Sequence, residues 1–207
     1  MLFHMALAQT SRMGFVIAGG KSSRMGEDKA LLDFGGQTLL RRALNAMGTV
    51  CPRVAIVGDS ARVEKYVSGK CESVVADVFA GCGPLAGIHA ALAHSSAELN
   101  LMLAVDMPFV SSELLAFLFA AADAINATIT VPRVGGGFQP LCAVYRREFA
   151  IVAEQALQAG KYKIDAAFAN VAVHVVEEDE LAAAGFSART FFNVNTPQDY
   201  RAAEAQT

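Results

Sequence analysis

Along this chain, short runs of β-branched and apolar residues alternate with longer stretches in which alanine and leucine recur at helical spacing. The apolar runs fall at 14–18, 53–57, 73–76, 99–105, 127–132, 141–145 and 171–176. The helical stretches fall at 38–47, 61–67, 85–93, 113–122, 149–158, 164–169 and 197–204. Alternation of this kind predicts crossover units, and hence an α/β fold whose mostly parallel sheet carries helices on both faces. The run at 99–105 is apolar almost throughout, as a central strand buried on both faces must be. Gly135-Gly136-Gly137 separates two later runs and predicts a hairpin, so some antiparallel pairing is expected late in the sheet. No repeat, linker or low-complexity tract breaks the pattern. A single domain is expected over 13–207, with 1–12 as an N-terminal extension.

Composition narrows the classes of function. Hydrophobic residues make up 54% of 207 residues, enough to fill a two-faced sheet, which sets disorder aside. The net charge is −3, so no general field attracts a nucleic-acid backbone, and any anion site must be local. No apolar run has membrane-spanning length, and the first residues lack the basic start of a secretory signal. Cys51, Cys71, Cys82 and Cys142 form no Cys-x-x-Cys pair, which predicts reduced structural thiols in a cytoplasmic protein. His4, His89, His94 and His174 show no metal-ligand spacing.

The candidate chemistry begins where the first apolar run ends. Ile17-Ala18-Gly19-Gly20-Lys21-Ser22-Ser23-Arg24-Met25-Gly26-Glu27-Asp28-Lys29 breaks from strand at two adjacent glycines into a loop with two hydroxyls and three cations. Glycines let a main chain approach an anion closely, and backbone amides at a strand end suit phosphate. Arg24 can meet phosphate oxygens as a planar fork and Lys29 as a point charge. Neither the Walker spacing nor the dinucleotide fingerprint is present, so the loop reads as a triphosphate cradle of another kind.

Three later segments add polar groups at strand ends. Asp106 follows the 99–105 run, and a lone carboxylate there suits magnesium completed by phosphate oxygens and water. It could instead cap the next helix, although Ser111 or Ser112 is better placed for that. Asp77 precedes Gly83-Pro84-Leu85-Ala86-Gly87, where a proline opens a helix and an interior glycine costs about 1 kcal/mol unless close packing needs it. Asn193 and Asn195 alternate on an extended segment before Thr196-Pro197, a helix start that leaves the paired amides unexplained.

Ala18-Gly19-Gly20-x-Ser22-Ser23-Arg24-Met25-Gly26-x-Asp28-Lys29 resembles the signature of the molybdenum cofactor guanylyltransferases, within the wider nucleotidyltransferases acting on nucleoside triphosphates. Asp106-x-Pro108, Gly83-Pro84-Leu85-Ala86-Gly87, Gln139-Pro140-Leu141 and Asn193-x-Asn195-Thr196-Pro197 extend the likeness over most of the chain. The resemblance implies a single-domain, three-layer, Rossmann-like nucleotidyltransferase fold that moves GMP from GTP onto the phosphate of Mo-molybdopterin. It implies Arg24, Lys29 and Asp106 as catalytic, with Mg2+ on Asp106. Ile17, Ala18, Gly19, Gly20, Ser22 and Lys29 would hold the nucleotide, with Asp77 at its ribose or base end. Asn193 and Asn195 would hold the pterin. Proteins that deliver molybdopterin or mature molybdoenzymes are the implied partners, with no nucleic acid and no membrane. The family's asparagine near the end of the second strand is missing, and Val57 stands there. This leaves the Gly58 backbone and the Asp59 carboxylate as candidates for the base edge. CTP or another phosphate acceptor, or nucleotide binding without catalysis, are the alternatives.

Overall fold

The computed structural model describes residues 12–19, 29–64, 71–79 and 81–205. Its strands are β1 (Arg12–Ile17), β2 (Val54–Val57), β3 (Cys71–Val75), β4 (Leu99–Ala104), β5 (Ile129–Val134), β6 (Gly137–Phe138), β7 (Cys142–Arg146) and β8 (Val173–Val176). They form one sheet in the order β3-β2-β1-β4-β7-β5-β6, with β8 on β5. β1, β2, β3 and β4 run parallel, as do β5 and β8. β7 enters between β4 and β5 and is antiparallel to both. The expected hairpin is present: Arg133 faces Phe138 and Val134 faces Gly137 across a two-residue turn. Gly135 and Gly136 hold that turn at φ 58° and 78°, conformations that side chains with a Cβ resist.

The helices are α1 (Leu39–Val50), α2 (Ser60–Val63), α3 (Pro84–His94), α4 (Ser112–Ala124), α5 (Phe149–Gln158), α6 (Ile164–Phe168), α7 (Glu178–Ala183) and α8 (Pro197–Glu204). Ser111 caps α4 by accepting from Leu114 N at 3.5 Å, which frees Asp106 from that duty. The third apolar run forms a strand that starts two residues earlier than expected. The second helical stretch is confirmed only as α2, and 65–70 lie outside the described residues. α7 was not predicted.

The pleat sends alternate residues into two cores. Val16, Ile56, Leu101 and Leu103 pack with α1 and α4, while Phe15, Ile17, Ala55 and Met102 pack with α3 and α5. β4 is buried along its whole length, as a central strand should be. Gly14 makes the α1 layer possible. A Cβ there would overlap the Met47 thioether and lie 3.0 Å from Cys51 Sγ, so α1 packs directly onto bare backbone.

This strand order also positions the site. The chain leaves β1 towards β2 and β3, then returns to β4 on the other side of β1. Outside the carboxyl ends of β1 and β4 the connections diverge, and a crevice opens where ligands of such sheets bind.

Candidate active site

The backbone around that crevice is locked before any side chain is considered. Val105 N donates to Ile17 O at 3.1 Å, Ala18 N to Val57 O at 2.9 Å and Gly58 N to Val75 O at 3.0 Å. Between these strand ends and α3 lies a cavity of about 380 Å³, bounded by Ile17, Gly19, Val57, Gly58, Asp77 and Gly87 among others. Small residues make the room. A Cβ on Gly87 would stand 3.5 Å from Ile17 Cγ2 and 3.8 Å from Val57 Cγ1, in ordinary contact with the protein but inside the cavity. Gly83, at φ 78°, turns the chain into Pro84 at the first position of α3, and the N-terminus of that helix borders the same space.

Three groups from distant parts of the chain meet just past the end of β4, although none of them is among the residues that line the cavity. Lys29 opens a 3₁₀ turn (Lys29–Leu31), and its Nζ lies 3.5 Å from Asp106 Oδ2 and donates to Asn195 Oδ1 at 2.8 Å. Asp106 is carried by the end of β4. Asn195 arrives because Val194 N donates to the Asp106 carbonyl at 2.8 Å, which lays the 192–195 segment along the strand's extension. The lysine and aspartate side chains are 19% and 21% exposed, so the pair is mostly shielded yet open to a ligand. Burial pushes the Asp106 carboxyl above its ordinary value, and the Lys29 ammonium offsets that only in part. One carboxylate and a neighbouring amide oxygen are hard donors, and with phosphate oxygens and water they fit magnesium. Among the described residues no cluster of three or more His, Cys, Asp or Glu offers a closed metal site.

Of the other predicted residues, Ile17, Gly19 and Asp77 line the cavity, while Ala18 contributes its buried backbone at the strand end. Asp77 Oδ1 accepts from Phe79 N at 2.9 Å, a bond that turns the chain at 77–79. Asn193 turns its Nδ2 to Phe191 O at 3.1 Å and so does not share the contacts of Asn195. Gly20, Ser22, Ser23 and Arg24 lie outside the described residues. Gly58 lines the cavity with its N–H already given to Val75 O, and exposed Asp59 follows it at the start of α2. Its Oδ1 accepts from Ala61 N at 3.0 Å as the cap of α2, a local bond available to any Asp at a helix start.

The Gln139-Pro140-Leu141 run named in the resemblance reaches the site, and the part played by Asp199 went unnoticed in the sequence. Leu141 lines the cavity and accepts from Ala104 N at 2.7 Å, beside a buried Tyr145 whose hydroxyl donates to Pro140 O at 2.8 Å. Asp199 completes a capping box with Thr196, and the Thr-x-x-Asp spacing was the available signal. Cys142 is buried and its thiol is pushed up to about 12, so it holds no thiolate at neutral pH. No helix among the described residues is long and apolar enough to cross a membrane.

Comparison with known proteins adds an independent finding. Residues 14–190 match the family described as MobA-like NTP transferase domain. The probable molybdenum cofactor guanylyltransferase of Pelotomaculum thermopropionicum is 39% identical over 186 residues, covering 90% of this chain and 88% of that protein. The molybdenum cofactor guanylyltransferase of Desulfosudis oleivorans is 31% identical over 193 residues, covering 93% and 94%. Among solved structures, molybdopterin-guanine dinucleotide biosynthesis protein A from Archaeoglobus fulgidus superposes with a TM-score of 0.81 at 28% identity, covering 94% and 97%.

Proposed function

The chain belongs to the MobA-like NTP transferase family, a family of nucleotidyltransferases, and on that premise we propose that it transfers GMP from GTP to the phosphate of Mo-molybdopterin. An acceptor phosphate oxygen forms a bond to the α-phosphorus of GTP, the bond from that phosphorus to the bridging oxygen breaks, and pyrophosphate leaves. The guanine dinucleotide cofactor is the product. The observation that carries this reading is the meeting of Lys29 and Asp106, 77 residues apart in sequence, just past the carboxyl end of β4.

The acceptor is already anionic at neutral pH, so no side chain need remove a proton. Catalysis reduces to positioning and neutralising charge. The amides of Gly19 and Gly20 and the hydroxyls of Ser22 and Ser23 hold the triphosphate, and Arg24 faces the leaving pyrophosphate. Lys29 neutralises charge that grows around the α-phosphate. Asp106 is the residue that would hold Mg2+, which would supply positive charge against the negative charge that the two substrates share. Asp77 lies at the ribose or base end, and Asn193 and Asn195 face the acceptor. Base recognition falls to the Gly58 carbonyl, the second carboxylate oxygen of Asp59 and the walls of the cavity.

Pyrophosphate release is the direct test. Protein with molybdopterin and GTP should release it only when magnesium is added, and ATP, CTP or UTP should give far less. Equal release with CTP would refute the choice of guanine. Nucleotide binding without release from any of the four would refute transfer itself.

A further inference from the structure

Asp199, in the first turn of α8, lies outside the Lys29–Asp106 pair but is tied to it through the backbone. Its Oδ2 accepts from two consecutive amides, Asn195 N at 3.0 Å and Thr196 N at 2.8 Å. A capping box requires only the second of these, together with the return bond from Asp199 N to Thr196 Oγ1 at 3.1 Å. The additional bond reaches one residue further back. It grips the residue whose side-chain oxygen receives the Lys29 ammonium. From the other side, fully buried Val194 is fastened by its N–H to the Asp106 carbonyl. Asn195 is thus held at its own amide and at that of its predecessor. An exposed asparagine without these bonds would sample several backbone and side-chain states.

We propose that Asp199 is a positioning residue for the transfer: by clamping the Asn195 backbone it fixes the amide oxygen that holds the Lys29 ammonium beside Asp106. This rests on the reading of Lys29 as the cation that meets the α-phosphate. A lysine head on a flexible four-carbon stem has no direction of its own, unlike the planar fork of arginine. Its aim must come from acceptors around it, and a misplacement of about 1 Å is enough to cost a large factor in rate. The Thr196 hydroxyl and the Asn195 amide hold the Asp199 carboxyl below its ordinary value, so at neutral pH the clamp is an ionised and therefore stronger acceptor.

The test compares Asp199→Ala, Asp199→Asn and Thr196→Ala, each in the wild-type and in an Asn195→Ala background, at a temperature where all are folded. Asp199→Ala should lower kcat about tenfold with the KM for GTP within about threefold, and Asp199→Asn, which keeps an acceptor oxygen, should recover part of it. Thr196→Ala removes the helix cap but leaves the clamp, so its kcat should stay within about twofold of wild type. In the Asn195→Ala background the Asp199→Ala effect should shrink below about twofold, since the intermediary is gone. The same loss in both backgrounds, or equal losses for Thr196→Ala and Asp199→Ala, would overturn the proposal. NMR relaxation at the Lys29 ε-methylene of the nucleotide-free protein gives a readout that needs no turnover. Asp199→Ala should release that group to faster, wider motion. An unchanged signal refutes the clamp even if the wild type proves not to transfer GMP, whereas a missing wild-type activity with a released lysine refutes only the enzymatic reading.

Discussion

Replacing Asp106 by asparagine separates what the carboxylate does for the fold from what it does for the reaction. The side chain is 21% exposed and its charge has been taken largely out of water. Lys29 at 3.5 Å returns an attraction of about 5 kcal/mol at an effective dielectric near 20. Even so, the carboxyl sits above its ordinary value, so desolvation outweighs the attraction and the ionised form is a net cost to the nucleotide-free protein. An amide of the same shape removes that cost and leaves Lys29 its bond to Asn195. The midpoint of thermal unfolding, measured near pH 7 without nucleotide or magnesium, should therefore stay level or rise. The sign with pH follows from linkage. The folded state binds this proton more tightly than the unfolded chain, so the wild type loses stability as pH rises from the ordinary carboxylate value through the folded one. The advantage of the amide should grow over that interval and then level off. Turnover should move the other way, falling about 10²–10³-fold, the usual loss when one preorganised charge is removed. Scanning calorimetry and pyrophosphate release on the same preparations decide the matter. For a chain of this length about 1 kcal/mol corresponds to roughly 2–4 °C. A fall of more than about 4 °C in the variant would show that the pair stabilises the fold, and the reasoning from desolvation would fail. An unchanged rate would remove Asp106 from the reaction.

Two glycines give further tests with opposite outcomes. Gly14→Ala should destabilise by about 1–3 kcal/mol, because its Cβ overlaps the fully buried Met47. Chemical denaturation measures this, and Met47→Ala should cost less in the Gly14→Ala background than in the wild type, because the added methyl fills part of the space it leaves; full stability in the single Gly14→Ala variant would mean that α1 can shift freely. Gly87→Ala should leave the unfolding midpoint nearly unchanged, since its methyl group meets Ile17 and Val57 at ordinary distances. It enters the cavity, however, and should weaken GTP binding by about tenfold or more, as an extra methyl in a filled pocket does. Calorimetric titration showing wild-type affinity would place the nucleotide elsewhere.

The sequence alone determined what depends on neighbours along the chain. Apolar runs became strands because a pleat buried on both faces needs them. Gly135-Gly136 became the hairpin turn because both positions require φ above zero, and Ser111 and Thr196 capped their helices through side-chain oxygens three residues from their donors. Asp106 was legible for the same reason, as a lone carboxylate at the end of a strand too apolar to lie anywhere but the centre. Local chemistry was ambiguous at Asp59, where a helix cap and a ligand contact call for the same side chain. What joins residues far apart was decided only by the assembled sheet. No pattern within a few residues could announce that β7 inserts antiparallel between β4 and β5, or that Gly14 is bare so that Met47 can reach the backbone. Nor could it reveal that Lys29 would close on Asn195, 166 residues away. Such contacts follow from where whole elements dock, and docking is set by the summed burial of two cores rather than by any residue that takes part in them.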